Sequence, residues 1–235
     1  MAPSIVVHWL EDSRAQRIVW MLEELGLEYE VKRYMRDPKT HQAPKELCDI
    51  HPLGRSPVVV VTEGAHSVTL AESGAITEFF IERYGNGQFS IPPDVEDFTQ
   101  RSDYLYWLHY AEGSAMTGLM FAMVFGGLPK RAPFFVRPIV NGISAGAMSG
   151  FVIPVLKNNY SYFERALEGK DFLIGGKLTG ADFLMSFIAE ALITAPLNVD
   201  DYPNIKRWHE SLQQRPAYIR ALDKGGKNDL TRFAK

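Results

Sequence analysis

One cysteine, Cys48, stands in a chain of 235 residues, so no disulfide can form within the chain. Any fold must hold by packing alone, and a reducing compartment suits it. Nor is there a surplus of positive charge. Lys and Arg number 25 against 28 Asp and Glu, a net charge of −3, which argues against nucleic acid as a partner and against binding to an anionic surface through charge. The six histidines, His8, His41, His51, His66, His109 and His209, show no HxxxH spacing, and a lone cysteine makes no CxxC, so no metal is expected. The opening MAPSIVVHWLEDSR has neither a positive n-region nor a long apolar stretch, so no secretory signal is read and a cytoplasmic location is expected. No repeat of fixed period occurs.

What is present is enough apolar residue, 46%, to build one large core or two small ones. Residues 1–84 alternate short β-branched runs with helical patterns: SIVVHW, a helix over Ser13–Leu25, EYEVKRY, a short helical segment over Ala43–Ile50, PVVVVT, SVTL, and a helix over Glu72–Tyr84. The order βαβαββα implies a parallel βαβ unit followed by a hairpin. Residues 85–97, rich in Gly and Pro, read as a linker. Residues 98–235 read as all helical: about Phe98–Val124, a stretch beyond the Pro-rich LPKRAPFFVRP, then Asn159–Glu168, Thr179–Ala195, Pro203–Gln214 and Pro216–Leu222. Pro138–Leu156 holds no charge over nineteen positions, long enough for a membrane span. Its Gly142, Gly146, Gly150 and Asn141 make it a poor one, so a buried helix or apolar pocket wall is expected, with membrane contact the less favoured reading.

Four ordered stretches carry a resemblance: HPLGRSP (51–57), LAESGAI (70–76), KLTGADFLMSF (177–187) and DYPNIKRWHESLQQRPAY (201–218). Over nearly its whole length the chain resembles cytosolic glutathione transferases, with a thioredoxin-like N-terminal domain and an all-α C-terminal domain. VHWLEDSRAQRIVWMLEELGLEYE and HYAEGS look closest to fungal, yeast-type members, the type first described as membrane-associated. The resemblance implies a homodimeric detoxification enzyme that uses glutathione as substrate and delivers its sulfur to hydrophobic electrophiles or peroxides. A weakly catalytic or non-catalytic binder of bulky apolar ligands is the alternative.

The same resemblance implies the site. Pro57 should follow a cis bond, and Ser56 should turn its backbone N–H and C=O toward the cysteinyl backbone of glutathione, as an added strand would. Glu72 should accept from the γ-glutamyl ammonium, and Ser73, at a helix N-terminus, should donate to its carboxylate; Ser73 equally suits a plain capping role. Arg55, with His41 and Lys45 behind it, is a candidate clamp for the glycyl carboxylate, or is simply solvated.

The chemistry needs a thiolate. A free thiol titrates near about 8.5, so ionising it at neutral pH asks for roughly two units, ~2.7 kcal/mol, within reach of one charge-assisted hydrogen bond. The loop His8–Ser13 holds no Tyr and no Cys. Ser13 is the chosen donor, as in serine-type transferases, with a helix cap as its rival role. His8 is the runner-up donor, or is packed beside Trp9. Cys48, away from that loop, reads as structural on an apolar helical face. Tyr106, His109 and Tyr110, on the first long helix, are candidates for the hydrophobic pocket. Thr179 and Asp182 form a capping box whose role is stability.

Overall fold

A computed structural model describes residues 2–230; positions 231–235, at the end of the anticipated helical domain, lie outside the described residues. The first half runs β1 (Ser4–Leu10), α1 (Ala15–Glu24), β2 (Glu30–Tyr34), a 3-10 turn (Lys45–Asp49), β3 (Val58–Glu63), β4 (His66–Ala71) and α2 (Ser73–Tyr84). The sheet order is β2-β1-β3-β4, with β1 and β2 parallel and the other pairs antiparallel. This is the mixed sheet the element order implied, with the thioredoxin-like arrangement that the resemblance implied. Side-chain alternation puts Ile5, Val7 and Trp9 of β1 in the core. Gly26, at φ +66°, closes α1: its N–H bonds to Glu23 O at 3.2 Å and that of Leu27 to Leu22 O at 3.1 Å.

Ile18, Met21 and Leu22 of α1 face the core as their spacing demands, but the opposite side is buried too, Gln16, Arg17 and Glu23 included. The helical half covers it: Trp20 meets Phe183 edge-on at 4.7 Å and Tyr218 at 5.2 Å. Such pairs add about 0.5–1.5 kcal/mol each beyond area burial and fix how the halves sit. The second helical segment is only a five-residue 3-10 turn. Cys48, read as structural on an apolar face, is instead exposed. Only Leu47 of that turn is buried, because five residues present too short a face to cover more.

The second half opens with two long rods. One joins α3 (Phe98–Tyr110), a π turn (Ala111–Ala115) and α4 (Met116–Arg131); the other joins α5 (Arg137–Ala147), a π turn (Met148–Val152) and α6 (Ile153–Ala166). The expected stop near Val124 does not occur, and the helix runs through Pro129. A proline there cannot donate to the carbonyl four residues back, which is Phe125 O. The Ser144 hydroxyl of the facing rod donates to that carbonyl instead, at 2.7 Å.

Burial of Pro138–Leu156 is likewise overturned. Ile139 is 67% exposed and Phe151 51%, and Met120, Phe121, Met123 and Val124 on the facing rod are also exposed. Their distal segments, α4 and α5, pack mainly against each other, and nearer the base a Cβ on Gly118 would stand 3.0 Å from Leu156 Cδ2. Both rods are long and apolar enough to cross a bilayer by length and composition.

Beyond them α7 (Gly180–Ala191) runs through the core, followed by α8 (Pro203–Gln213) and α9 (Pro216–Gly225). The capping box is formed: Asp182 Oδ2 accepts from Thr179 N at 2.8 Å and Thr179 Oγ1 at 2.9 Å, and its Oδ1 from Leu173 N at 3.0 Å. Gly180 lets α7 pack closely: a Cβ there would lie 2.9 Å from both Ile81 Cδ1 and Tyr104 Oη, so those side chains would have to shift.

Candidate functional site

The β1–α1 loop and the turn before β3 bring two serines together. Ser56 and Pro57 are joined by a cis bond. The Ser56 hydroxyl donates to His8 O at 2.8 Å and accepts from Leu10 N at 3.1 Å, so it stitches the end of β1 where the β3 ladder stops. Its own N–H and C=O meet no hydrogen-bond partner among the described residues. Ser13 Oγ lies 3.4 Å from Ser56 Oγ and accepts from Ala15 N at 3.2 Å, at the start of α1. The two roles weighed for Ser13 therefore coexist. An oxygen that receives the Ala15 N–H still has its own proton to give. Since the Ser56 proton is committed to His8 O, Ser13 is the donor across the long 3.4 Å contact, and that proton can be redirected to a better acceptor. The N-terminus of α1 adds a favourable field for negative charge there.

A second cluster forms at the start of α2. Glu72 is exposed and holds φ +67° just before the helix; Ser73 is its first residue and is buried. Arg17 Nη2 donates to Ser73 Oγ at 2.6 Å, Nη1 donates to Leu184 O at 2.6 Å, and the guanidinium pairs with Glu112 of the π turn. Arg14, next to Ser13, reaches the other Glu112 oxygen at 3.2 Å. Burial alone would raise the Glu112 carboxyl, but the two arginines and its hydrogen bonds hold it below the usual carboxylate range. Glu112 thus stands between the Ser13 end and the Ser73 end. Neither Arg14 nor Arg17 was read as a site residue. Arg17 and Glu112 are 95 residues apart, and no spacing rule connects them.

The remaining candidates separate. His8 is buried with its Nδ1 2.8 Å from the Tyr34 hydroxyl and its ring stacked on Tyr34; burial, with Lys32 nearby, lowers its pKa. Arg55, His41 and Lys45 lie at exposed positions, His41 at φ +57°. Tyr106 is 45% exposed and stacks on the buried Tyr110 at 5.4 Å, while Tyr162 of α6 packs against both. Tyr110 also donates to Asn159 Oδ1 at 3.2 Å. His109 is exposed. A cavity of about 340 Å³ lies elsewhere, between α7, α8 and residues 228–230. Glu190, pushed up to about 7 by burial, and His209, lowered to about 4, line it.

The family pattern described as Glutathione S-transferase, N-terminal domain, matches residues 2–82, and the corresponding C-terminal domain pattern matches 152–216. The chain is 35% identical to Glutathione S-transferase 1 of Saccharomyces cerevisiae, over 94% of this chain and 95% of that one. It is 36% identical to Glutathione S-transferase 3 of Schizosaccharomyces pombe, over 98% and 91%. A solved glutathione S-transferase from Actinobacillus pleuropneumoniae superposes with a TM-score of 0.77 at 35% identity, over 98% of this chain and 97% of that one. A glutathione transferase homolog from Lodderomyces elongisporus, solved with two GSH per subunit, shares the fold at a TM-score of 0.71 and 20% identity, over 94% and 98%.

Proposed function

From the premise that this chain belongs to the glutathione S-transferase family, we propose that it binds glutathione and ionises its thiol at Ser13 for attack on hydrophobic electrophiles or peroxides. The observation that carries the reading is the Ser13–Ser56 pair: an uncommitted hydroxyl proton beside an unpaired backbone N–H and C=O. Ser56 would hold the cysteinyl backbone, which puts the sulfur within reach of Ser13. Glu72 and Ser73 would hold the γ-glutamyl end, and Arg55 with His41 the glycyl carboxylate. The test is conjugation of glutathione to a halo-aromatic compound, followed at neutral pH. Tight binding of bulky apolar compounds without turnover would favour the non-catalytic binder instead.

Ser73→Ala and Glu72→Gln should each weaken glutathione binding about tenfold by calorimetry, because each strands a charged group of the ligand. Unchanged affinity would move the γ-glutamyl subsite elsewhere.

The apolar flank of the rods supports a homodimer, since monomers rarely leave such a surface bare. A Phe121→Glu, Val124→Glu double variant should sediment as a monomer where the parent chain sediments as a dimer. A monomeric parent would point to another partner, a membrane among them. A cytoplasmic, detoxifying role fits the composition and the single thiol.

A further inference from the structure

Arg17 has no task in the glutathione reading, yet it is a charge only 2% exposed, and a buried guanidinium is tolerated only where it is paired; here both Nη atoms are engaged and Nε is not. Its partners come from three directions. They are Ser73 Oγ at the head of α2, Glu112 in the π turn and the Leu184 carbonyl of α7, with the Phe187 ring 5.8 Å away. π turns inside helices often mark functional positions, and this one carries the carboxylate that holds Arg17.

The chemistry of the Ser73 contact has a direction. Arginine can only donate, whereas a hydroxyl has one proton and two lone pairs. With Arg17 Nη2 at 2.6 Å, Ser73 Oγ must be the acceptor there, so its own proton points away from Arg17. That proton goes to Glu112 Oε1 across 3.5 Å, a long contact that a closer carboxylate can displace. Thr77 fixes the backbone beneath, its hydroxyl donating to Ser73 O at 2.7 Å. We infer that Arg17 is the positioning residue of the γ-glutamyl subsite: it occupies a lone pair of Ser73 so that the hydroxyl proton is presented to the ligand's α-carboxylate. A cation on the acceptor side also polarises the hydroxyl and strengthens it as a donor. The inference rests on the glutathione reading above. It adds that the subsite is set by the docking of the two halves, since Glu112 and Leu184 belong to the helical one.

The test compares glutathione with γ-aminobutyryl-cysteinyl-glycine, which lacks only that carboxylate, by calorimetry on the full chain. The parent should prefer glutathione by about tenfold or more, one hydrogen bond to a charged group. Arg17→Met should erase most of that preference in the parent and change nothing further in a Ser73→Ala background. If Arg17→Met does not fold, Glu112→Gln, which keeps the shape and removes the charge holding the guanidinium, should narrow the preference in the same Ser73-dependent way. Equal weakening of both peptides, or the same loss with and without Ser73, makes Arg17 a strut only and overturns the inference. A parent that prefers neither peptide overturns it as well. A parent that binds neither overturns the glutathione reading and the inference with it.

Discussion

Asp182→Ala is expected to lower the stability of the chain by about 3–5 kcal/mol, since it strands three buried donors at once, Leu173 N, Thr179 N and Thr179 Oγ1. That is a large part of the 5–15 kcal/mol typical of a folded domain, so the variant should be partly unfolded in mild urea. Asp182→Asn keeps the shape and one acceptor oxygen and should lose roughly half as much. Urea titration followed by tryptophan fluorescence reads both, and a loss below about 1 kcal/mol for the alanine variant would show that the box is dispensable. The pH dependence has a definite sign. Burial pushes the Asp182 carboxyl up to about 6, above its ordinary 3.8, against the pull of its hydrogen bonds. Folding then favours the protonated form, so this group stabilises the fold most below about pH 4 and loses that contribution as pH rises toward 6. The alanine variant should lack that slope.

Ser13→Ala carries the largest expected effect on chemistry. If the hydroxyl supplies most of the thiolate stabilisation, its loss should raise the pKa of bound glutathione by about one to two units, at 1.36 kcal/mol per unit. At pH 7, from a bound thiol at about 6.5, this cuts the thiolate fraction about 3- to 25-fold and kcat/KM with it, with glutathione affinity changing far less. The shift should appear in the pH profile and in thiolate absorbance. His8→Phe should leave both unmoved, because the His8 ring is turned to Tyr34. A capping role alone would give a different pattern: about 0.5–2 kcal/mol of stability lost through the Ala15 contact and no change in titration. A titration that moves with His8 and not with Ser13 would make the histidine the donor.

The strands, α1, α2 and the capping box were legible because each is a local signal: β-branched alternation, helical spacing, and a Thr-x-x-Asp before an apolar run. Ser13 and Ser56 could be named from the resemblance, but their mutual hydrogen bonding could not. It depends on where β1 ends against β3. The misses share a cause, which is that one element's environment is set by another far away in sequence. Arg17 reads as the polar side of an amphipathic helix until the helical half covers it. Pro129 reads as a stop until Ser144 takes over the carbonyl the proline cannot serve. Pro138–Leu156 reads as core because it lacks charge, whereas burial requires a third element that the described residues do not supply.

The π turns at Ala111–Ala115 and Met148–Val152 each add one residue to a helical turn, and one residue corresponds to about 100° of rotation about the axis. Each rod therefore changes phase partway along. The two shifts fall in facing segments: Asn159 of α6 donates to Ser114 O in the first π turn, and Phe151 of the second meets Phe121 of α4. Losing one residue from a single turn would swing every distal side chain of that rod off its partner. Both matched family patterns leave residues 83–151 unmatched, a span that contains the first π turn, most of the second and the whole tip of the hairpin. The distal hairpin is thus a lever keyed at two points, one in each rod.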